Sequence, residues 1–155
     1  HVRSRRQRQM CIRDRSLFDY FEALAEDSGI TLGVKGAIGS IAADREMLTR
    51  ALNNLLSNAI RHTPRGKSIT VLLSQDEQWT TISVVNPGEK IPEPDLPKLF
   101  NRFYRVDPAR QRNTAGAGLG LAIVKSIAEA HGGSVAVTSS ELVTRFDLAL
   151  PHLRQ

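Results

Sequence analysis

NNLLSNAIRHTP, residues 53–64, places two asparagines and an arginine inside an otherwise apolar helical pattern. Asn54, Asn58 and Arg61 stand at i, i+4 and i+7, so a helix presents them on one face. Apolar residues define the packed side of the same helix: Leu52, Leu55, Leu56 and Ala59. An asparagine amide offers one neutral oxygen and two N–H donors, which suits a site that meets both a cation and phosphate oxygens. Simple solvent exposure of the asparagines is an alternative that this helix alone leaves open.

The sequence on either side of this helix alternates between strand and helix patterns. Asp44 is placed to cap the helix, and Pro64-Arg65-Gly66 is placed to end it. A helix pattern also occupies 16–29, and another follows Gly118 as far as the Gly132-Gly133 pair. Strand patterns are found, in order, as a short pair within 31–44, a hairpin at 68–75 and 79–86, and a second hairpin-like pair at 134–140 and 142–151. This order predicts an α/β two-layer sandwich, in which helices cover one face of a mixed, mostly antiparallel sheet.

The segment between Pro87 and Ala117 is rich in proline and arginine. It holds only one short apolar and aromatic element, LPKLFNRFYR, which begins at Leu96. A connection of this length is uncommon in a compact domain unless it is functional or disordered. Because loops of this kind often close over a bound substrate, we predict a lid at about 92–115.

Three glycines, Gly116, Gly118 and Gly120, alternate just before the last predicted helix. Such glycines permit backbone conformations that direct successive N–H groups at one anion, and the helix N-terminus adds to the effect. A simple flexible loop is the alternative. The segment does not follow a strand directly and lacks a Gly-Lys-Ser/Thr ending, so neither a dinucleotide-binding motif nor a Walker loop fits.

Residues 1–15 carry the whole formal excess of positive charge. They hold six arginines and one acid, whereas basic and acidic side chains balance in the remaining 140 residues. Such an arm commonly binds nucleic acid or a membrane surface, but its back-translation resembles a sequencing-library adapter. We therefore expect an artefact, disordered over 1–15, and no nucleic-acid partner. Setting it aside removes Cys11, the only cysteine, and with it thiol chemistry, disulfides and cysteine metal sites.

Five motifs together resemble the catalytic domain of sensor histidine kinases. LTRALNNLLSNAIRHTP, VVNPGEKIP, LFNRFYRVDP, GAGLGLAIVKSIAEAHGG and TRFDLALP stand in the order and spacing of that family's N, G1, F and G2 boxes and closing strand. The sequences of these motifs are most similar to those of the copper/silver, heavy-metal-responsive branch of the family. The resemblance implies a Bergerat-type fold with an ATP lid, an ATP-binding domain over 30–155, and the end of a dimerisation helix over 16–29.

The resemblance also implies roles for individual residues. Asn58 would coordinate Mg²⁺, Asn54 would lie beside it near the phosphates, and Arg61 with His62 would face the phosphate and ribose. Asn54 and Arg61 are the implied catalytic residues. The other implied nucleotide-binding positions are Asn86, Gly88, Gly116, Gly118, Leu119, Gly120, Leu121 and Thr144. Phe100 and Phe103 would anchor the lid.

The implied activity is transfer of the γ-phosphoryl group of ATP to a histidine. None of the four histidines suits that role by sequence position, so the acceptor is expected on a dimerisation domain outside this sequence, with a response regulator downstream. No apolar run reaches the roughly 20 residues of a membrane helix, so we expect a soluble cytoplasmic domain. The parent protein is expected to be a homodimer anchored in the bacterial inner membrane.

Two positions depart from the family pattern. Asn86 stands where an aspartate normally accepts from the adenine amino group, and Lys90 replaces a glycine, which leaves base selectivity open. A non-catalytic regulatory module is therefore one alternative. A gyrase-like or anti-sigma-type ATP enzyme is another, but Asn54 occupies the position of their glutamate general base, and an amide cannot take a proton from water.

Overall fold

The computed structural model describes residues 9–11, 16–104 and 119–152. Three α-helices lie in these ranges: α1 (Ser16–Asp27), α2 (Arg45–His62) and α3 (Gly120–Ala130). A 3-10 helix occupies Glu93–Lys98. The strands are β1 (Gln9–Cys11), β2 (Thr31–Gly36), β3 (Ser40–Ala42), β4 (Ser68–Gln75), β5 (Trp79–Asn86), β6 (Ser134–Ser139) and β7 (Thr144–Pro151).

Five of the strands form one sheet in the order β2-β4-β5-β7-β6. The β2–β4 pair is parallel, and the three other pairs are antiparallel. The parallel pair needs a long crossover connection, and α2 lies within it. The prediction of a mixed, mostly antiparallel sheet with helices is therefore confirmed.

The core lies between the sheet and the helices. Alternate residues of the central strands are buried, which places them on one face: Ile69, Val71, Leu73, Ile82, Val84, Phe146, Leu148 and Leu150. The helix α2 contributes a buried stripe at helical spacing: Leu48, Ala51, Leu52, Leu55, Leu56 and Ala59. The cap prediction for this helix also holds, since the Asp44 carboxylate accepts from the Met47 N–H at 3.0 Å.

The strand β1 differs from the disorder that the sequence predicts for 1–15. Gln9–Cys11 pairs antiparallel with β3, in the register Gln9↔Ala42. Within the described residues β3 pairs with no other strand, and an edge strand can pair with another extended segment through its backbone groups.

Candidate functional site

The polar stripe on α2 faces away from the core, as the sequence predicts. Asn54 and Asn58 are half-buried and Arg61 is exposed, while the apolar stripe of the same helix is buried. The helix ends at His62, and its last turn carries both Arg61 and His62. A cation in the last turn interacts favourably with the helix dipole, and the guanidinium of Arg61 places positive charge at this end of the stripe.

Two contacts show that α3 runs antiparallel to α2. At one end, the Nε2 atom of His131 accepts from the Asp44 N–H at 3.0 Å. At the other, a Cβ built on Gly120 would stand 3.8 Å from the Asn54 Oδ1 atom, so the start of α3 touches the middle of α2. The first half of α2 is therefore covered by α3, and the second half is not.

The uncovered half of α2 faces the N-terminus of α3. At about 1.5 Å per residue, Asn58 lies about 6 Å and Arg61 about 10 Å beyond Asn54 along the helix axis. Leu119, the N-cap residue of α3, makes no side-chain capping bond. The first N–H groups of an α-helix have no acceptor within the helix, so the N-terminus of α3 favours an anion.

Asn54 carries a buried polar atom without a partner. Its Nδ2 atom is shielded from water and is the one buried side-chain nitrogen or oxygen in the described ranges that makes no hydrogen bond. Leaving such a donor unsatisfied costs about 1 to 3 kcal/mol. A buried donor without a partner, next to the N-terminus of α3, indicates a site for a ligand that accepts hydrogen bonds.

The chemistry of His62 is altered by its surroundings. Desolvation by neighbouring protein atoms lowers the pKa of His62 below its ordinary value, although its side chain stays exposed, and repulsion from Arg61 lowers it further. The imidazole is therefore neutral at pH 7, able to both donate and accept a hydrogen bond.

The end of α2 is held against the segment that follows β5. A Cβ on Gly88 would stand 2.8 Å from the carbonyl oxygen of His62, which is closer than real Cβ atoms approach. Only glycine therefore allows this segment to pack on the helix end. The contact fixes the position of Asn86, two residues earlier, relative to the polar stripe.

Polar side chains form a row across the sheet at this same end. Asn86 on β5 is the register partner of Thr144 on β7, which in turn pairs with Ser139 on β6. The Ser139 and Thr144 hydroxyls lie 2.8 Å apart, and the Ile91 N–H donates to the Ser139 hydroxyl at 2.9 Å. The sequence analysis did not single out Ser139, because its role depends on a contact 48 residues away.

The predicted lid is described only as far as Tyr104. Phe100 packs its ring edge-on against Phe146, with centroids 6.0 Å apart, so it joins the lid segment to the core. Phe103 is instead 67% exposed and has a φ of +64°. Because the second half of the lid lies outside the described residues, its role in anchoring the lid stays a prediction. Residues 105–118, with Gly116 and Gly118, lie outside the described residues.

The structure thus brings most of the predicted residues to one end of the molecule. Asn54, Asn58, Arg61 and His62 line the uncovered half of α2, and Leu119, Gly120 and Leu121 form the start of α3. Gly88 connects the helix end to Asn86 and Thr144. Leu121 packs partly against the core rather than standing free, so a role for it in binding rests on its backbone.

Sequence comparisons place this arrangement among known proteins. Residues 43–154 match the family described as histidine kinase-, DNA gyrase B-, and HSP90-like ATPase. Sensor histidine kinase CusS of Escherichia coli strain K12 is 54% identical over 135 residues, which is 87% of this chain and 28% of that protein. Probable sensor kinase SilS of Salmonella typhimurium is 53% identical over 115 residues, 74% of this chain and 23% of that protein. The chain spans about a quarter of the length of these curated relatives.

Structure comparisons agree. Mycobacterial sensor histidine kinase MprB superposes with a TM-score of 0.81 at 28% identity, covering 96% of this chain and 100% of that one. A nucleotide-free catalytic domain of histidine kinase ThkA gives a TM-score of 0.80 at 26% identity, covering 94% and 95%. Within the described ranges, no helix is long and apolar enough to cross a bilayer. Because its relatives are sensor histidine kinases over the full extent of this fold, the chain belongs to the histidine kinase-, DNA gyrase B- and HSP90-like ATPase family, as an ATP-binding catalytic domain of the sensor histidine kinase type.

Proposed function

We propose that this domain binds ATP with Mg²⁺ between the uncovered half of α2 and the N-terminus of α3, and passes the γ-phosphoryl group to a histidine on another domain. The observation that carries the proposal is the buried, unpartnered Nδ2 atom of Asn54 beside the start of α3. Phosphate oxygens are suitable acceptors for this donor and for N–H groups at the N-terminus of α3.

Each polar side chain of α2 has a different role in this proposal. Asn54 donates to a phosphate oxygen, Arg61 neutralises charge that builds up on the transferring group, and His62 hydrogen-bonds to the phosphate or ribose. The half-buried amide oxygen of Asn58 is suited to Mg²⁺, which needs only one or two protein oxygens when phosphate oxygens and water supply the others.

The composition of the site supports Mg²⁺ that arrives with the nucleotide. Within the ranges that the structure describes, no three His, Cys, Asp or Glu side chains are grouped so as to hold a metal ion. A single neutral amide binds a divalent cation weakly without the phosphate charges. When bound, Mg²⁺ would supply positive charge to the phosphates, and the protein residues would orient the nucleotide.

Asn54 also bears on which nucleophile is used. A carboxylate at this position would deprotonate water, but an amide has no basic atom at neutral pH. The site therefore favours holding ATP intact for an incoming imidazole. A bond then forms between the imidazole nitrogen and the γ-phosphorus, the bond to the β,γ-bridging oxygen breaks, and ADP leaves.

The histidines of the described ranges are poor acceptors for that group. Both ring nitrogens of His131 are engaged, one by the Asp44 N–H and the other by the Ile127 carbonyl oxygen. The Nδ1 atom of His152 bonds to Gln75, and His62 belongs to the nucleotide site. We place the acceptor on a dimerisation domain of a homodimeric parent protein in the inner membrane, which then serves a response regulator.

Calorimetry of the domain with a non-hydrolysable ATP analogue tests the proposal. Binding that needs Mg²⁺ and falls by tenfold or more in Asn58→Ala is expected, while Asn53→Ala, an exposed neighbour on the same helix, binds as the original chain does. Transfer is then followed with γ-labelled ATP and an added dimerisation domain from a relative. A folded chain that binds no nucleotide, or one that binds but never labels the added histidine, would contradict the corresponding half of the proposal.

A further inference from the structure

The helix α3 is held at the end that lies away from the nucleotide site. His131, which follows its last residue, places its Nδ1 atom 2.8 Å from the carbonyl oxygen of Ile127, one turn earlier in the same helix. A carbonyl oxygen only accepts, so Nδ1 carries the hydrogen, and Nε2 accepts from the Asp44 N–H at 3.0 Å. The ring is therefore fixed on its own helix by one nitrogen and bonded to the cap residue of α2 by the other.

The turn after α3 fixes the same end against the sheet. The Gly133 N–H donates to the Ala128 carbonyl oxygen at 2.8 Å, and Gly132 has a φ of +76°. A Cβ on Gly133 would overlap the carbonyl oxygen of Ala149 on β7, so the turn lies directly on that strand. The C-terminal end of α3 is therefore held from two sides, by the cap of α2 and by β7.

The start of α3 is held less tightly. Leu119, its N-cap residue, makes no side-chain capping bond, and a Cβ on Gly120 would stand only at an ordinary van der Waals distance from Asn54. Between its ends the helix is held by buried apolar residues such as Val124 and Ile127. Apolar packing is non-directional, so packed helices can slide or tilt by small amounts.

The two contacts between the helices lie about equally far apart on each of them. Ten residues separate Asp44 from Asn54 on α2, and eleven separate Gly120 from His131 on α3, which is about 15 Å along either axis. A tilt of α3 by about 4° about its fixed end would therefore move Gly120 by about 1 Å relative to Asn54. A displacement of this size in a site that transfers a group can cost about a hundredfold in rate.

We propose that His131 is a positioning residue for the bound triphosphate. Through its bond to the Asp44 N–H it sets the alignment of α3 along α2, and with it the place of the α3 N-terminus beside the unpartnered Nδ2 atom of Asn54. This inference rests on the proposed nucleotide site, and it assigns part of the control of that site to a residue about 15 Å away.

Two substitutions at this position separate the alignment of the helices from the loss of the ring. In His131→Gln the side-chain amide oxygen reaches about as far as the Nε2 atom and can accept from the Asp44 N–H. In His131→Asn the shorter amide can still donate to the Ile127 carbonyl oxygen, but it does not reach Asp44.

Calorimetry with a non-hydrolysable ATP analogue and Mg²⁺ compares both substitutions in the original chain and in Asn54→Ala. Urea denaturation establishes that each variant is folded under the conditions of the titration, since a loss of stability alone leaves the affinity of folded molecules unchanged. Substitutions this far apart that share no partner have additive effects. A cost that differs between the two backgrounds therefore reports coupling through α3.

We expect His131→Asn to weaken binding of the analogue about three- to tenfold in the original chain and less than about twofold in Asn54→Ala. His131→Gln should stay within about twofold of the original chain. Equal affinities of His131→Gln and His131→Asn, or equal losses in the two backgrounds, would overturn this inference alone. A folded original chain that binds no analogue would overturn the proposed function as well.

Discussion

The imidazole of His131, just after α3, accepts a hydrogen bond from the backbone N–H of Asp44, the cap of α2. The Ile127 carbonyl oxygen accepts only, so the Nδ1 atom of His131 carries the hydrogen and Nε2 is free to accept from Asp44. One side chain therefore connects the end of one helix to the start of the other and fixes their antiparallel alignment.

Replacing His131 by alanine is expected to lower the free energy of unfolding by about 1 to 3 kcal/mol, because the Asp44 N–H loses its partner. Urea denaturation measures the change. Lys125→Ala, an exposed change on the same helix, serves as the control and should stay within about 0.5 kcal/mol. Equal stabilities of the two variants would show that the contact contributes nothing.

Replacing Gly88 by alanine is expected to displace the segment after β5, since the added Cβ would stand 2.8 Å from the His62 carbonyl oxygen. We expect a loss of about 1 to 3 kcal/mol of stability, together with weaker nucleotide binding. Gly33→Ala is the matched control, because a Cβ there meets no atom within 4 Å. A Gly88→Ala variant as stable and as tight in binding as Gly33→Ala would refute the close approach.

Replacing Asn54 by alanine is expected to lower the affinity for nucleotide without lowering the free energy of unfolding. The variant removes a buried donor that has no partner, so the nucleotide-free domain should be as stable as the original or more stable by up to about 1 kcal/mol. Nucleotide affinity should nevertheless fall at least about tenfold. Denaturation without ligand and calorimetry with ATP provide the two measurements, and a marked loss of stability would indicate a structural role instead.

Acidification is expected to weaken the fold through His62. Desolvation lowers the pKa of His62 in the folded domain, so the unfolded chain takes up its proton first as the pH falls through about 6.5. Stability is thus lost below that pH and is unaffected above it. Urea denaturation at pH 7.5 and pH 5.5 should show a smaller loss in His62→Gln than in the original chain; identical losses would exclude His62 as the source.

The same residue predicts the sign of proton exchange on nucleotide binding. Phosphates beside His62 favour the imidazolium, so ATP binding near pH 6 should take up protons. Calorimetry in two buffers of different ionisation enthalpy counts them, and His62→Gln should abolish the uptake.

Local patterns in the sequence were sufficient to predict the main helices and strands and the polar face of α2. The 3.6-residue spacing of the leucines oriented Asn54, Asn58 and Arg61, and the Asp44 cap follows from a bond that spans three residues. Both depend on neighbours in the chain, which is why periodicity reveals them.

Contacts between distant segments escaped the same reasoning. The bond from Asp44 to His131 spans 87 residues, and the bond from Ile91 to Ser139 spans 48. Nothing in the local pattern distinguishes Ser139 from Ser140, since only the register of β6 against β7 turns one of them toward Thr144.

Within the described residues, α3 covers α2 only from its start as far as Asn54. In the proposed site, a bound nucleotide would pack beside the last two turns of α2, beyond the start of α3. Amide hydrogen exchange over residues 58–62 should therefore slow on ATP binding, while exchange in the first turns of α2, which α3 already covers, should change little. Nucleotide binding would thus stabilise this end of α2. The exchange protection of its five amides would report the fraction of domain molecules that hold ATP.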